Sequence, residues 1–159
     1  MKKLLLKILR WFNLDKIFPI TKLAEYTKDN PQKLANWLVK HIRWIKDRST
    51  KNHWEDPEIA LKRGWCDCEE LACIVYEVLL KWGWQAHIIT VWNKDKCHAV
   101  CAFQEVHGFG GKWCYTDFGG LTVTTARSLP EISECIYKDW IGWAVCDMTG
   151  FPVSEVKRM

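Results

Sequence analysis

Three residues along the middle of this chain, Cys68, His98 and Asp117, are of the types that together make a reactive thiol. A nucleophilic cysteine needs a base to exchange its proton with, and the base needs a carboxylate to hold it in one tautomer. Cys68 sits in Trp65-Cys66-Asp67-Cys68-Glu69-Glu70-Leu71-Ala72, where the turn at Gly64 leads into an amphipathic stretch. His98 lies in the strand-like run Cys97-His98-Ala99-Val100, and Asp117 closes Trp113-Cys114-Tyr115-Thr116-Asp117. The chemistry open to such a trio is acyl transfer through a thioester.

A free thiol is mostly protonated at neutral pH. The N–H groups of a helix start and an imidazolium from His98 would favour the thiolate of Cys68, whereas the carboxylates of Glu69 and Glu70 oppose it. Both glutamates are therefore expected to point away from the sulfur. His98 would act as general base and then as acid for the leaving group, with Asp117 fixing its tautomer. The Cys68 backbone N–H is the natural first oxyanion donor, with an indole N–H of Trp54 or Trp65 as the second. Without the Cys68 motif, a histidine in an apolar strand would be read as a core residue. An aspartate before Gly119-Gly120 would likewise be read as a turn residue.

The elements that must position these groups can be read from period and punctuation. Residues 31–47 carry Leu34, Leu38, Ile42 and Ile45 at helical spacing after Asn30-Pro31, a cap and a first-turn proline. Asp56-Pro57-Glu58 repeats that start for a short helix to Lys62, stopped at Gly64. Asp67 caps a helix over 68–82 that ends at Gly83, with Leu71, Val75, Val78 and Trp82 as its apolar stripe and Glu70, Glu77 and Lys81 on the wetter side. Strands follow at 85–92, 97–106 and 112–118, then a short helix at 130–137 and a last strand at 143–148. Helices first and an antiparallel sheet after them is an α+β layout. If the second and third strands form a hairpin with Glu105 opposite Lys112, Val100 faces Asp117 and His98 is its diagonal neighbour on the same face. A one-residue slip would separate them.

The 159 residues suffice for one full core, and 48% apolar content with 11 Trp is a globular composition. A net charge of +4 without a clustered stripe argues against a nucleic-acid partner. Eight cysteines without a secretory signal read as reduced thiols in a cytoplasmic protein. They contain no Cys-x-x-Cys pair, so a zinc or iron–sulfur site has poor support. Within residues 1–28, read as an amphipathic helical extension of a domain at 29–159, Lys3, Lys7 and Arg10 share one helical face. Residues 1–18 could thus touch a membrane surface weakly, though packing on the chain's own domain is the favoured reading.

Taken together, the segments resemble the transglutaminase-like cysteine-peptidase superfamily, and most nearly its bacterial branch. The matching pieces are Trp54-Glu55-Asp56-Pro57-Glu58, then Arg63-Gly64, Asp67-Cys68-Glu69-Glu70-Leu71-Ala72, His98-Ala99 and Trp113 to Asp117. Cys66 departs from the pattern, standing where a glycine or polar residue is usual. The resemblance implies a papain-like α+β core with the nucleophile at the start of its central helix. It also implies a cysteine peptidase or amidase acting on a peptide or protein substrate, with Cys68, His98 and Asp117 as catalytic residues. No cofactor is required on this reading; calcium held by Asp67 and Glu69 is an extension drawn from some bacterial relatives. A virion-associated protein of phage origin fits so compact a version. The alternatives are a non-catalytic binding or scaffold module of the same fold and a protein cross-linking acyltransferase.

Overall fold

Side-chain caps at three helix starts fall where the sequence places them. A computed structural model describes residues 19–46, 54–104, 111–118 and 120–157. Helix α1 (Ile20–Thr27) is followed by α2 (Pro31–His41), capped by Asn30, whose side chain accepts from the Lys33 N–H at 2.8 Å. A two-residue strand β1 (Arg43–Trp44) precedes α3 (Pro57–Arg63), which Asp56 caps through the Glu58 N–H at 2.8 Å. Gly64 stops α3 at φ 75°, a left-handed conformation that favours glycine. Strand β2 (Trp65–Cys66) then leads into α4 (Cys68–Lys81).

The helix expected over 31–47 ends early, and the reason is tertiary. After His41 the Arg43 N–H donates to Gly64 O and the Ile45 N–H to Cys66 O, both at 3.0 Å, so β1 pairs in parallel with β2. Trp44 and Ile45 thus serve a bridge that pins the chain just before Cys68, a partner 21 to 22 residues away that helical periodicity cannot reveal.

Strands β3 (Ala86–Trp92), β4 (Cys97–Gln104), β5 (Trp113–Asp117) and β6 (Gly120–Val123) are followed by α5 (Leu129–Ile136), β7 (Gly142–Cys146) and β8 (Pro152–Lys157). They form one antiparallel sheet in the order β6-β5-β4-β3-β7-β8. Across β4 and β5, Cys101 lies opposite Thr116 and Gln104 opposite Trp113, the register that the hairpin argument requires. Two strands were not expected. Gly120, read as part of a turn, stands at φ 105° opposite Asp117 and opens β6. Beyond β7, Asp147 Oδ1 accepts from the N–H groups of Thr149 at 2.8 Å and Phe151 at 3.0 Å, turning the chain into the exposed edge strand β8.

Both faces of the sheet are covered. On one side, α1, α2 and α4 pack Leu23, Leu34, Val75 and Leu79 against Ile88, Cys101, Phe103 and Cys146. On the other, Ile132 of α5 and Trp140 pack against Ile89, Val91, Val100, Ala102 and Trp143. A strand buried on both faces loses its polar alternation, which explains the nearly continuous apolar runs of β3 and β4. Helix α1, the described end of the segment read as an extension, belongs to the first of these cores: Ile20 and Leu23 are buried, and Trp82 Nε1 donates to Ala24 O at 3.0 Å. The basic face of residues 1–18 and the Glu105 end of the hairpin lie outside the described residues. Among the described residues no helix is long and apolar enough to cross a membrane.

Candidate active site

Helix α4 starts at Cys68 because two carboxylates close a capping box around it. Asp67 Oδ1 accepts from the N–H groups of Glu69 at 3.0 Å and Glu70 at 3.1 Å, while Glu70 Oε2 accepts from the Asp67 N–H at 3.1 Å. Glu70, expected on the wetter side of the helix, is instead only 5% exposed. It is inside because Arg63 is there to meet it, with Nη2 at 2.7 Å from both of its carboxylate oxygens. Burial still pushes the Glu70 carboxyl above its ordinary value, against the opposing effect of Arg63. Arg63 also pairs with Glu55, donates from Nε to Trp65 O at 3.1 Å and lies 3.5 Å over the Trp65 ring. Reading the sequence for reactive groups passed over this arginine. The Asp67-x-x-Glu70 spacing of a capping box was the available signal.

The two neighbouring thiols are sharply distinguished by this arrangement. Cys66, on β2, is fully buried, and burial followed by the charges of Glu70 and Asp67 pushes its thiol far above the ordinary range. Cys68 is half-buried at the helix tip. Of the remaining thiols, Cys73, Cys101, Cys114 and Cys146 are buried core residues, Cys97 and Cys135 are exposed, and all eight are free. Burial and then the Glu69 carboxylate push the Cys97 thiol up.

His98 pairs with one of its expected partners and feels the other. Its Nε2 stands 3.7 Å from Asp117 Oδ2, and Cys68 lies near enough to act on its charge. Burial, the largest single influence on the ring, disfavours its charge, but the influences of Asp117 and Cys68 together outweigh it. The imidazole is pushed up to about 9. Tyr137, in the segment leaving α5, borders the same place: burial and then the charges of Cys97 and Cys68 push its phenol up.

Asp67 O and Oδ1 take the N–H groups of Leu71, Glu69 and Glu70, so among the described residues the cap leaves the Cys68 N–H available beside its own sulfur. The two indoles considered as second donors each have a close neighbour of their own. Trp54 packs so closely on Gly150 that a Cβ there would lie 2.4 Å from Nε1, and Trp65 carries the Arg63 guanidinium on its face. Of the two carboxylates considered for calcium, Asp67 already accepts two N–H groups at Oδ1, so it would have to share that oxygen with an ion.

Compared with known proteins, the chain matches no protein-family model and no curated sequence. The five described helices and the six-stranded antiparallel sheet define a mixed α+β protein.

Proposed function

We propose that this chain is a cysteine hydrolase of amide bonds, a peptidase or amidase on a papain/transglutaminase-like core. The observation that carries the reading is His98 paired with Asp117 at the end of β5, with Cys68 at the tip of α4 near enough to favour the charged ring. A nucleophile at the start of a helix packed on an antiparallel sheet, with base and carboxylate on adjacent strands, is also the layout that the sequence resemblance implies.

With its ring pushed up to about 9, His98 enters the reaction at neutral pH already protonated. Its first task is then to act as general acid rather than as base. The Cys68 thiolate, whose proton the imidazolium holds, attacks the carbonyl carbon, and the developing oxyanion meets the Cys68 N–H at the helix start. The imidazolium passes its proton to the departing amine as the C–N bond breaks, leaving a thioester. His98, now neutral, takes a proton from water, whose oxygen attacks the thioester; the C–S bond breaks, freeing the acid and restoring the thiolate beside the imidazolium. An amine in place of that water would give cross-linking from the same intermediate.

Limiting iodoacetamide at pH 6.5, followed by intact mass measurement and peptide mapping, tests the proposal. A single adduct on Cys68 is expected, with the five buried thiols silent and Cys97 and Cys135 serving as exposed internal controls. Slow, equal labelling of Cys68, Cys97 and Cys135 would favour a binding module without catalysis.

A further inference from the structure

We infer that the active site takes its substrate as an extended peptide in which an apolar side chain is flanked by acidic residues. The inference rests on the hydrolase reading of Cys68. Beside Asp117, a cavity of about 170 Å³ is walled by Val39, Ile42, Trp44, Leu71 and Phe118. Two of its walls come from the elements that carry the catalytic groups. Leu71 lies one turn beyond Cys68 on α4, and Phe118 follows Asp117 directly. The third wall is Trp44, which leans on Phe118 with ring centroids 5.7 Å apart and is still 52% exposed. A large aromatic held half in water at the mouth of an apolar recess can bury more of its surface against an incoming side chain, at about 25 cal/mol per Å². The volume suits one leucine or phenylalanine side chain.

Val39 and Ile42 also line a second, larger cavity of about 590 Å³, so the two adjoin across these side chains. This one is basic: Lys40, Arg43, Lys62 and Arg63 line it, and no carboxylate does. Arg63 is committed to Glu55 and Glu70, whereas among the described residues Lys40, Arg43 and Lys62 form no ion pair. Three exposed cations around one groove, Lys40 and Arg43 on one wall and Lys62 on the other, attract acidic groups and repel basic ones. The groove is lined by Gly64 and Trp65, a few residues before Cys68, and the apolar recess it adjoins is lined by Asp117 and Leu71. The pairing of β1 with β2 holds its two walls together, since Arg43 and Trp44 stand opposite Trp65 and Cys66.

The test uses the full chain and a small matrix of N-acetylated peptidyl chloromethyl ketones. Their apolar position is Leu, Phe or Gly, and their flanking positions are Asp or Lys, with inactivation read as the rate of mass addition at Cys68. Leu or Phe with Asp flanks should react at least about tenfold faster than the Gly or Lys-flanked probes. The advantage of Asp over Lys flanks should fall or invert in K40E/K62E and weaken as salt rises. The preference for Leu or Phe over Gly should shrink in Trp44→Ala. Equal rates for all probes, with iodoacetamide still selective for Cys68, would overturn the groove assignment and leave the hydrolase reading standing. Loss of iodoacetamide selectivity as well would remove both.

Discussion

Exchanging His98 for alanine should slow alkylation of Cys68 at pH 6.5 by about ten- to a hundredfold, because a protonated imidazole beside a thiol favours its nucleophilic thiolate form. The rates at Cys97 and Cys135 should stay the same, since neither depends on that ring. Asp117→Asn tests the other side of the histidine. A carboxylate within about 4 Å holds an imidazolium by roughly one to three pH units, so His98 in this variant should titrate lower than about 9 by that order. The same group links pH to stability. Its folded value lies above the ordinary 6.5, so its contribution is complete below that value and is lost as pH rises toward about 9. Urea midpoints of the native chain should therefore decline between those limits, and the decline should shift to lower pH in Asp117→Asn. An NMR titration of the His98 ring, or midpoints that stay flat over this window in both proteins, would decide the matter directly.

The second large effect lies behind the site rather than in it. Glu70→Ala should destabilise the chain by about 3 kcal/mol, lowering its melting temperature by roughly 10 °C. The cost has two sources. Arg63 would keep its charge in a half-buried position with its bidentate partner gone, and the Asp67 N–H would lose its acceptor at the start of α4. The paired change R63M/E70L removes the buried pair together, leaving only the more exposed Glu55 without its partner, and should recover much of the loss, whereas Arg63→Met alone also strands the Glu70 carboxylate. Thermal denaturation of the three variants separates these contributions. If all three melt alike, the ion pair is not what holds the helix start. Because Cys68 follows Asp67 directly, Glu70→Ala should also blunt the selectivity of Cys68 labelling, a readout that loss of global stability alone does not produce well below the melting range.

Much of the site was legible in the sequence because its signals are local. Asn30, Asp56 and Asp67 announce helix starts within three residues of the N–H groups they cap, and Gly64 announces a stop. The contact of His98 with Asp117 was also within reach, since one turn fixes the register of a hairpin and the register fixes which residues are diagonal neighbours. What escaped depends on partners distant in the chain. Nothing in the periodicity of residues 31–47 shows that Arg43 and Ile45 will find Gly64 and Cys66. Glu70 reads as a solvent-facing charge until Arg63 is placed beside it. Strand β8 escaped for a different reason: an edge strand exposed along its whole length carries no burial pattern to betray it.

Five thiols sealed in the interior have a consequence for how the protein is lost as well as for how it works. Heating or denaturant releases Cys66, Cys73, Cys101, Cys114 and Cys146 together into a chain that already carries three accessible ones. In air such a chain is captured by random disulfides faster than it can return. Without a reductant, inactivation will therefore be one-way, and shelf life will follow the rate of opening rather than the depth of the native energy well.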